Sequence, residues 1–208
     1  MTPRSGIVLI LIPDITHWKP DQEENMFEFH EVDLRIPDPA RKAEGKRTTE
    51  AVFRLNQACP GSAEYQSLLE DLFAGQIGAS TRIVGPLYVN LAKNIHIGDY
   101  VSIQPYLRCM SAGNIEIEDH VMIAMNVSLV TNNHDPYQRD ILTVADIRIK
   151  KGAWIGTGAI ILPGVTVGKY AIVGAGSVVN RDIPDYAVAV GNPARVIRYL
   201  DPDKFAED

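Results

Sequence analysis

The chain has 208 residues, 46% of them apolar, with a formal charge of −6 and a pI near 5.4. That length suits one principal core with a small appendage, and an acidic chain without a basic stripe argues against nucleic acid or an anionic membrane as partner. Cys59 and Cys109, the two cysteines, lie far apart and outside any metal-ligand or redox spacing, so they give no disulfide framework and point to a reducing, cytoplasmic setting.

In chain order, residues 1–37 read as an N-terminal extension without clear periodicity. Its apolar "GIVLILI" ends at Pro13 and lacks a small-residue cleavage site. It reads as an edge strand or ordered tail, too short to span a membrane. Residues 38–75 read as helical. In "DPARKAEGKRTTEAVFRLN", Asp38 stands as N-cap and Pro39 takes the first helical position, where a missing N–H does no harm. A second helix is predicted because Tyr65, Leu68, Leu69, Leu72 and Phe73 fall on one helical face, with Ser62 before them and Gly75 after.

From 76 to about 190 the pattern changes. Ile149, Ile155, Ile161, Val167, Val173 and Val179 recur every six residues, and Ala153, Ala159, Val165, Ala171 and Ser177 stand four after the first five. The same beat runs through Ile97, Ile103 and Cys109, pauses at "SAGN", and resumes at Ile117, Ile123 and Leu129. A period of six fits neither an amphipathic helix nor a half-buried strand. It fits a solenoid of short flats, three to a triangular coil, each giving one aliphatic side chain to a narrow interior. The glycines, including Gly156, Gly168 and Gly174, then read as corner residues. "GAGS" at 174–177 lies inside the repeat and lacks the strand, turn and helix of a nucleotide loop. The polar run "TNNHDPYQR" falls in a loop, 131–146, that interrupts the beat, and 191–208 reads as a C-terminal tail.

"NIHIGDYVSI", "KKGAWIGTGAIILPGVTVGKYAIVGAGSVVNRDIP" and "AVGNPARVI" closely resemble the hexapeptide-repeat acyltransferases, in particular the maltose/galactoside O-acetyltransferase branch. The resemblance covers roughly residues 38–200 and is strongest from 147 onward. It implies a mainly β fold, a left-handed parallel β-helix with N-terminal helices, assembled as a homotrimer with sites between subunits. It also implies acetyl-CoA as cosubstrate, no metal, and direct transfer to a hydroxyl of a sugar or other small polyhydroxyl acceptor.

Such a transfer needs a base for the hydroxyl proton and donors for the developing oxyanion. The resemblance assigns the base to His134, with Asp135 standing between it and Pro136. It places Gln104 where the acceptor and the thiol end of the cofactor meet, and Trp154 near the reaction centre. Thr157 and Ala175 would line the pantetheine arm together with Asn180 and Arg181, while Arg195 and Arg198 would meet the phosphorylated end. Asn90 and Asp38 match acceptor-side positions, although Asp38 has the competing role of N-cap. The family's acidic acceptor contact is replaced here by Ser111 and Ala112 in "MSAGN". The alternatives are N-acetylation of an amino sugar, a zinc hydratase on the same coil using His96, His120 and His134, and a solenoid without catalysis.

Overall fold

A computed structural model describes residues 29–205; "GIVLILI" lies outside them. Strand β1 (His30–Asp33) is followed by helices α1 (Pro39–Leu55) and α2 (Ala63–Leu72). The coils then bring β2 (Arg82–Ile83), β3 (Tyr88–Val89), β4 (Ile95–Ile97), β5 (Ser102–Ile103), β6 (Arg108–Met110), β7 (Ile115–Ile117), β8 (Met122–Ile123) and β9 (Ser128–Val130). Strands β10 (Asn132–His134) and β11 (Ile141–Val144) interrupt them. The coils resume with β12 (Ile147–Ile149), β13 (Trp154–Ile155), β14 (Ile160–Ile161), β15 (Thr166–Val167), β16 (Ile172–Val173) and β17 (Val178–Val179), and the chain ends with β18 (Ala187–Val190) and β19 (Arg195–Tyr199).

The coil strands stack in parallel into three faces of a triangular prism: β4–β7–β12–β15 (face 1), β2–β5–β8–β13–β16–β18 (face 2) and β3–β6–β9–β14–β17 (face 3). The period of six thus becomes three ladders. Ile97, Ile117, Ile149 and Val167 stack inside face 1, Ile83, Ile103, Ile123, Ile155 and Val173 inside face 2, and Val89, Cys109, Leu129, Ile161 and Val179 inside face 3. All are buried, each aliphatic one contributing about 1.5–3 kcal/mol of transfer free energy. The small residues four positions later point inward too: Ala153, Ala159, Val165, Ala171 and Ser177 are fully buried. Burial pushes the Cys109 thiol up to about 12, so this cysteine is a core residue without nucleophilic character.

The glycine reading needs correction. Gly156, Gly168 and Gly174 do not turn corners with left-handed backbone; they let successive coils approach. A Cβ on Gly156 would lie 2.6 Å from the Ala175 nitrogen and 2.7 Å from the Val173 oxygen. Left-handed positions stand three residues after many of the interior anchors and are filled by glycine at 152, 158, 164 and 176, but by Tyr100, Tyr106, His120, Asn126, Tyr170 and Tyr186 elsewhere.

The helices close the N-terminal end of the prism. Asp38 accepts from the Arg41 N–H at 2.9 Å and Ser62 from the Tyr65 N–H at 3.1 Å, the two N-caps read from sequence. Ala51, Leu55, Tyr65, Leu69, Leu72 and Phe73 join the coil core. Glu44 fastens the assembly: Arg47 grips its carboxylate at 2.8 and 2.9 Å while donating to the Asp71 and Leu72 carbonyls, and Thr48 and the Lys93 N–H also donate to it. At the other end β19 folds back antiparallel onto β18, so part of the expected tail is a strand closing face 2. No described helix is long and apolar enough to cross a membrane.

Two further corrections concern the interruption. The expected loop 131–146 contains an antiparallel hairpin, β10–β11, and β1 from the expected extension pairs with β11 to make a three-stranded sheet. Strands β1 and β10 flank β11 on either side, and neither has enough apolar alternation to show a period in the sequence.

Two outcomes follow. The Arg47 hydrogen bond, with those of Thr48 and Lys93, holds the Glu44 carboxyl down to about 2 against its burial. A lowered folded-state pKa gives stability that is complete above the ordinary value of 4.5 and lost as pH falls toward 2. Glu44→Gln should lower the urea midpoint at pH 7 and flatten its fall between pH 5 and pH 2; an unchanged pH profile contradicts the linkage. Separately, Gly176 has φ 68° with open space around it, so Gly176→Ala should cost about 1–2 kcal/mol. A Cβ on Gly168 would sit 2.5 Å from the Pro184 carbonyl carbon, and Gly168→Ala should lose more, about 3 kcal/mol or above. Equal losses on thermal unfolding would contradict the close-approach reading.

Candidate active site

His134 ends β10, on the hairpin that leaves the prism at the edge between faces 3 and 1. The root is fixed by buried Thr131, whose hydroxyl donates to the Met110 carbonyl at 2.8 Å and accepts from the Gly113 N–H at 2.9 Å. Buried Leu142 and Val144 hold β11 down. The turn is braced by Asp135: its Oδ1 accepts from the Tyr137 and Gln138 N–H groups at 2.8 and 2.6 Å, and its own N–H donates to the Ile141 carbonyl. Asp135 therefore shapes the turn rather than disturbing it. His134 Nδ1 lies 2.6 Å from the Arg139 carbonyl oxygen. A carbonyl only accepts, so Nδ1 carries a proton, and in the neutral ring the lone pair is on Nε2 of this exposed side chain. Asn132, two residues earlier, is buried with its Oδ1 unpartnered among the described residues.

The edge between faces 2 and 3 carries a second group. Backbone bonds from Gln104 to Ile123, Ala124 to Ile155 and Gly156 to Val173 set Gln104, Ala124, Gly156 and Gly174 in one column along the prism. The adjacent column, through Asn126 to Pro105, Gly158 to Met125 and Gly176 to Thr157, holds Pro105, Met125, Thr157 and Ala175. Thr157 and Ala175 are exposed there. At the C-terminal end of this edge Arg195 stands opposite Val190 across the β18–β19 pair, and Arg198 stands opposite Val188. Trp154 lies on the outer side of face 2, in register with Met122 and 46% exposed.

The remaining residues lie toward the 3–1 edge. Asn180 and the exposed Arg181 follow β17 where face 3 gives way to face 1. Asn90 follows β3 at the same edge and uses its Oδ1 to accept from the Ser111 N–H and hydroxyl at 2.8 and 3.0 Å. Asn90 and Asp38 share a cleft of about 1030 Å³ with Glu31, Asp33, Arg41 and Lys42. Asp33 is kept charged in it: hydrogen bonds from Arg35 hold its carboxyl down to about 2.

The residues picked from sequence thus fall into two groups on either side of face 3, and one chain does not bring His134 to Gln104, Thr157 and Ala175. His96 points outward from face 1 and His120 stacks on Tyr100 at 4.9 Å, so the three coil histidines lie on separate surfaces of the chain. Sequence reading missed the Arg139 carbonyl, the bracing by Asp135, Met125 and β1. The Asp-Pro pair was a visible turn signal for Asp135; the others depend on pairing that only the folded chain supplies.

The family described as bacterial transferase hexapeptide (six repeats) matches residues 146–181. The galactoside O-acetyltransferase of Escherichia coli (strain K12) is 34% identical over 173 residues, 80% of this chain and 83% of the relative. A hexapeptide-repeat-containing acetyltransferase from Vibrio cholerae superposes with a TM-score of 0.76 at 30% identity, over 81% of this chain and 98% of that one. A galactoside acetyltransferase in complex with coenzyme A gives 0.75 at 30% identity, over 80% and 85%. Columns of stacked aliphatics, inter-coil glycines and this breadth of likeness have one source: the chain belongs to the hexapeptide-repeat acyltransferases with the left-handed β-helix, in their maltose/galactoside O-acetyltransferase branch.

Proposed function

We propose that the protein transfers acetyl from acetyl-CoA to a hydroxyl of a sugar or other small polyhydroxyl acceptor, in the cytoplasm and as a homotrimer, with His134 as general base. The observation that carries the base is the His134–Arg139 contact at 2.6 Å, which commits the Nδ1 proton to the backbone and leaves Nε2 as the acceptor. Relatives that act on galactosides, and the coenzyme A complex of one, support the donor and the acceptor class.

The chemistry is one addition and one elimination. His134 Nε2 takes the acceptor's hydroxyl proton as its oxygen attacks the thioester carbonyl carbon. The resulting oxyanion meets the N–H or hydroxyl of Thr157. Collapse expels the coenzyme thiolate, which recovers the proton from the imidazolium. Gln104 steadies the reacting end, Trp154 packs beside it, and Ala175, Asn180 and Arg181 line the pantetheine arm. Arg195 and Arg198 meet the phosphates. Asn90 and Asp38 face the acceptor from their cleft.

The split between edges supports an assembly in which subunits share a site. Two different patches of one surface meet across a heterologous contact, which closes into a ring when the rotation permits, and the ring we propose has three subunits. The 3–1 edge of one subunit, with His134, then lies against the 2–3 edge of its neighbour, with Gln104 and Thr157.

Two measurements test this reading. His134→Ala should lower kcat by about 10²–10⁴-fold on a panel of sugars, read by thiol release, with acetyl-CoA binding retained; unimpaired transfer removes the base, and preference for amino sugars makes the product an amide. Co-expressed His134→Ala and Thr157→Trp chains, each inactive alone, should recover part of the activity in mixed trimers. No recovery would place both groups within one subunit's site.

A further inference from the structure

Along the 2–3 edge, side-chain size changes from coil to coil. In the column of Gln104, the three following positions are Ala124, Gly156 and Gly174. A side chain is crowded at both glycines: a Cβ on Gly174 would stand 2.6 Å from Val190 Cγ1, and one on Gly156 would press on the backbone of the next coil. In the adjacent column, Thr157 and Ala175 are short as well. The long side chains of these two columns are Gln104 and Met125.

Met125 occupies the coil between them: its carbonyl accepts from the Gly158 N–H at 2.9 Å, and Asn126, its neighbour, donates to Pro105 at 3.0 Å. Neighbouring strands lie about 4.8 Å apart, so Met125 stands one step from the Gln104 coil and one step from the Thr157 coil. It is 46% exposed, which leaves its thioether free to lie against a ligand on this edge. We propose that Met125 sets the acyl-chain length this enzyme accepts, its side chain closing the space beyond the carbonyl carbon held between Gln104 and Thr157. The inference rests on the acetyl-CoA reading. An unbranched, polarisable side chain packs against a methyl group and leaves no room for two further methylenes.

The test is calorimetric and needs no acceptor: affinities of the full chain for coenzyme A, acetyl-CoA and butyryl-CoA, in wild type, Met125→Ala, Met125→Leu and Met125→Phe. Wild type should prefer acetyl-CoA over butyryl-CoA. Met125→Ala should raise the butyryl-to-acetyl affinity ratio about tenfold or more, the scale on which a pocket resolves a methylene. Met125→Leu should keep the wild-type ratio, and Met125→Phe should lower it. Unchanged ratios across all three variants, with coenzyme A still bound, overturn the role of Met125 alone. Absence of coenzyme A binding by wild type overturns the acetyl-CoA reading and this inference together.

Discussion

Everything in this molecule depends on backbone registry between successive coils. A parallel ladder fixes each residue directly above its equivalent in the previous coil, about 4.8 Å away, so a linear sequence becomes a set of columns. One inward position per flat must then be apolar in every coil, which is why Ile97, Ile117, Ile149 and Val167 stack where a polar residue would be buried without a partner. The outward rows are free to differ, and they do. His96, Glu116, Arg148 and Thr166 make face 1 polar, with Arg148 bridged to Glu116 and Glu118, whereas face 2 shows Met122 and Trp154.

The same registry explains residues that are costly in isolation. A left-handed backbone at a tyrosine or histidine costs about 1–2 kcal/mol, yet the chain places Tyr100, His120, Tyr170 and Tyr186 at such corners. They stand along a single edge, so their rings meet: Tyr100 stacks on His120, and Tyr170 on Tyr186 and Phe205. Such pairs return about 0.5–1.5 kcal/mol each beyond burial. Phe205 ties the C-terminal segment to this edge, and His120 has a structural reason to be where it is. Side-chain carboxylates work similarly, Asp119 accepting from the Asp99 N–H at 2.8 Å and Asp185 from the Lys169 N–H at 2.8 Å, joining equivalent corners of adjacent coils.

What could be read from sequence follows from the range of the interaction. The Asp38 and Ser62 caps, and the coil anchors, are local or periodic and were legible without a structure. The small residues after each anchor were legible as a pattern, although their inward direction was not. Gly156 and Gly168 were misread as corners because the atoms that forbid a side chain there belong to the next coil, Ala175 and Pro184, some eighteen residues on by the coil repeat. Strand β1 was invisible because its partner, β11, lies more than a hundred positions away in sequence. His134 was recognised by resemblance, but its tautomer depends on a carbonyl five residues further along a turn that Asp135 shapes.

A solenoid offers no concave centre, since its interior is filled by its own aliphatics, so chemistry must be assembled on its edges. Between β9 and β12 this chain leaves its coils, and there it builds a three-stranded sheet around the histidine rather than a slack loop. A histidine on such a support keeps its direction, because β10 and the turn that follows it are hydrogen-bonded on both sides. Gly156 and Gly174 are bare because of coil contact, with the backbone of the next coil at Gly156 and with the Val190 side chain at Gly174, and together with the short Ala124 they leave a straight track along the prism. The inter-coil contact that stabilises the fold thus also limits side-chain size along this edge.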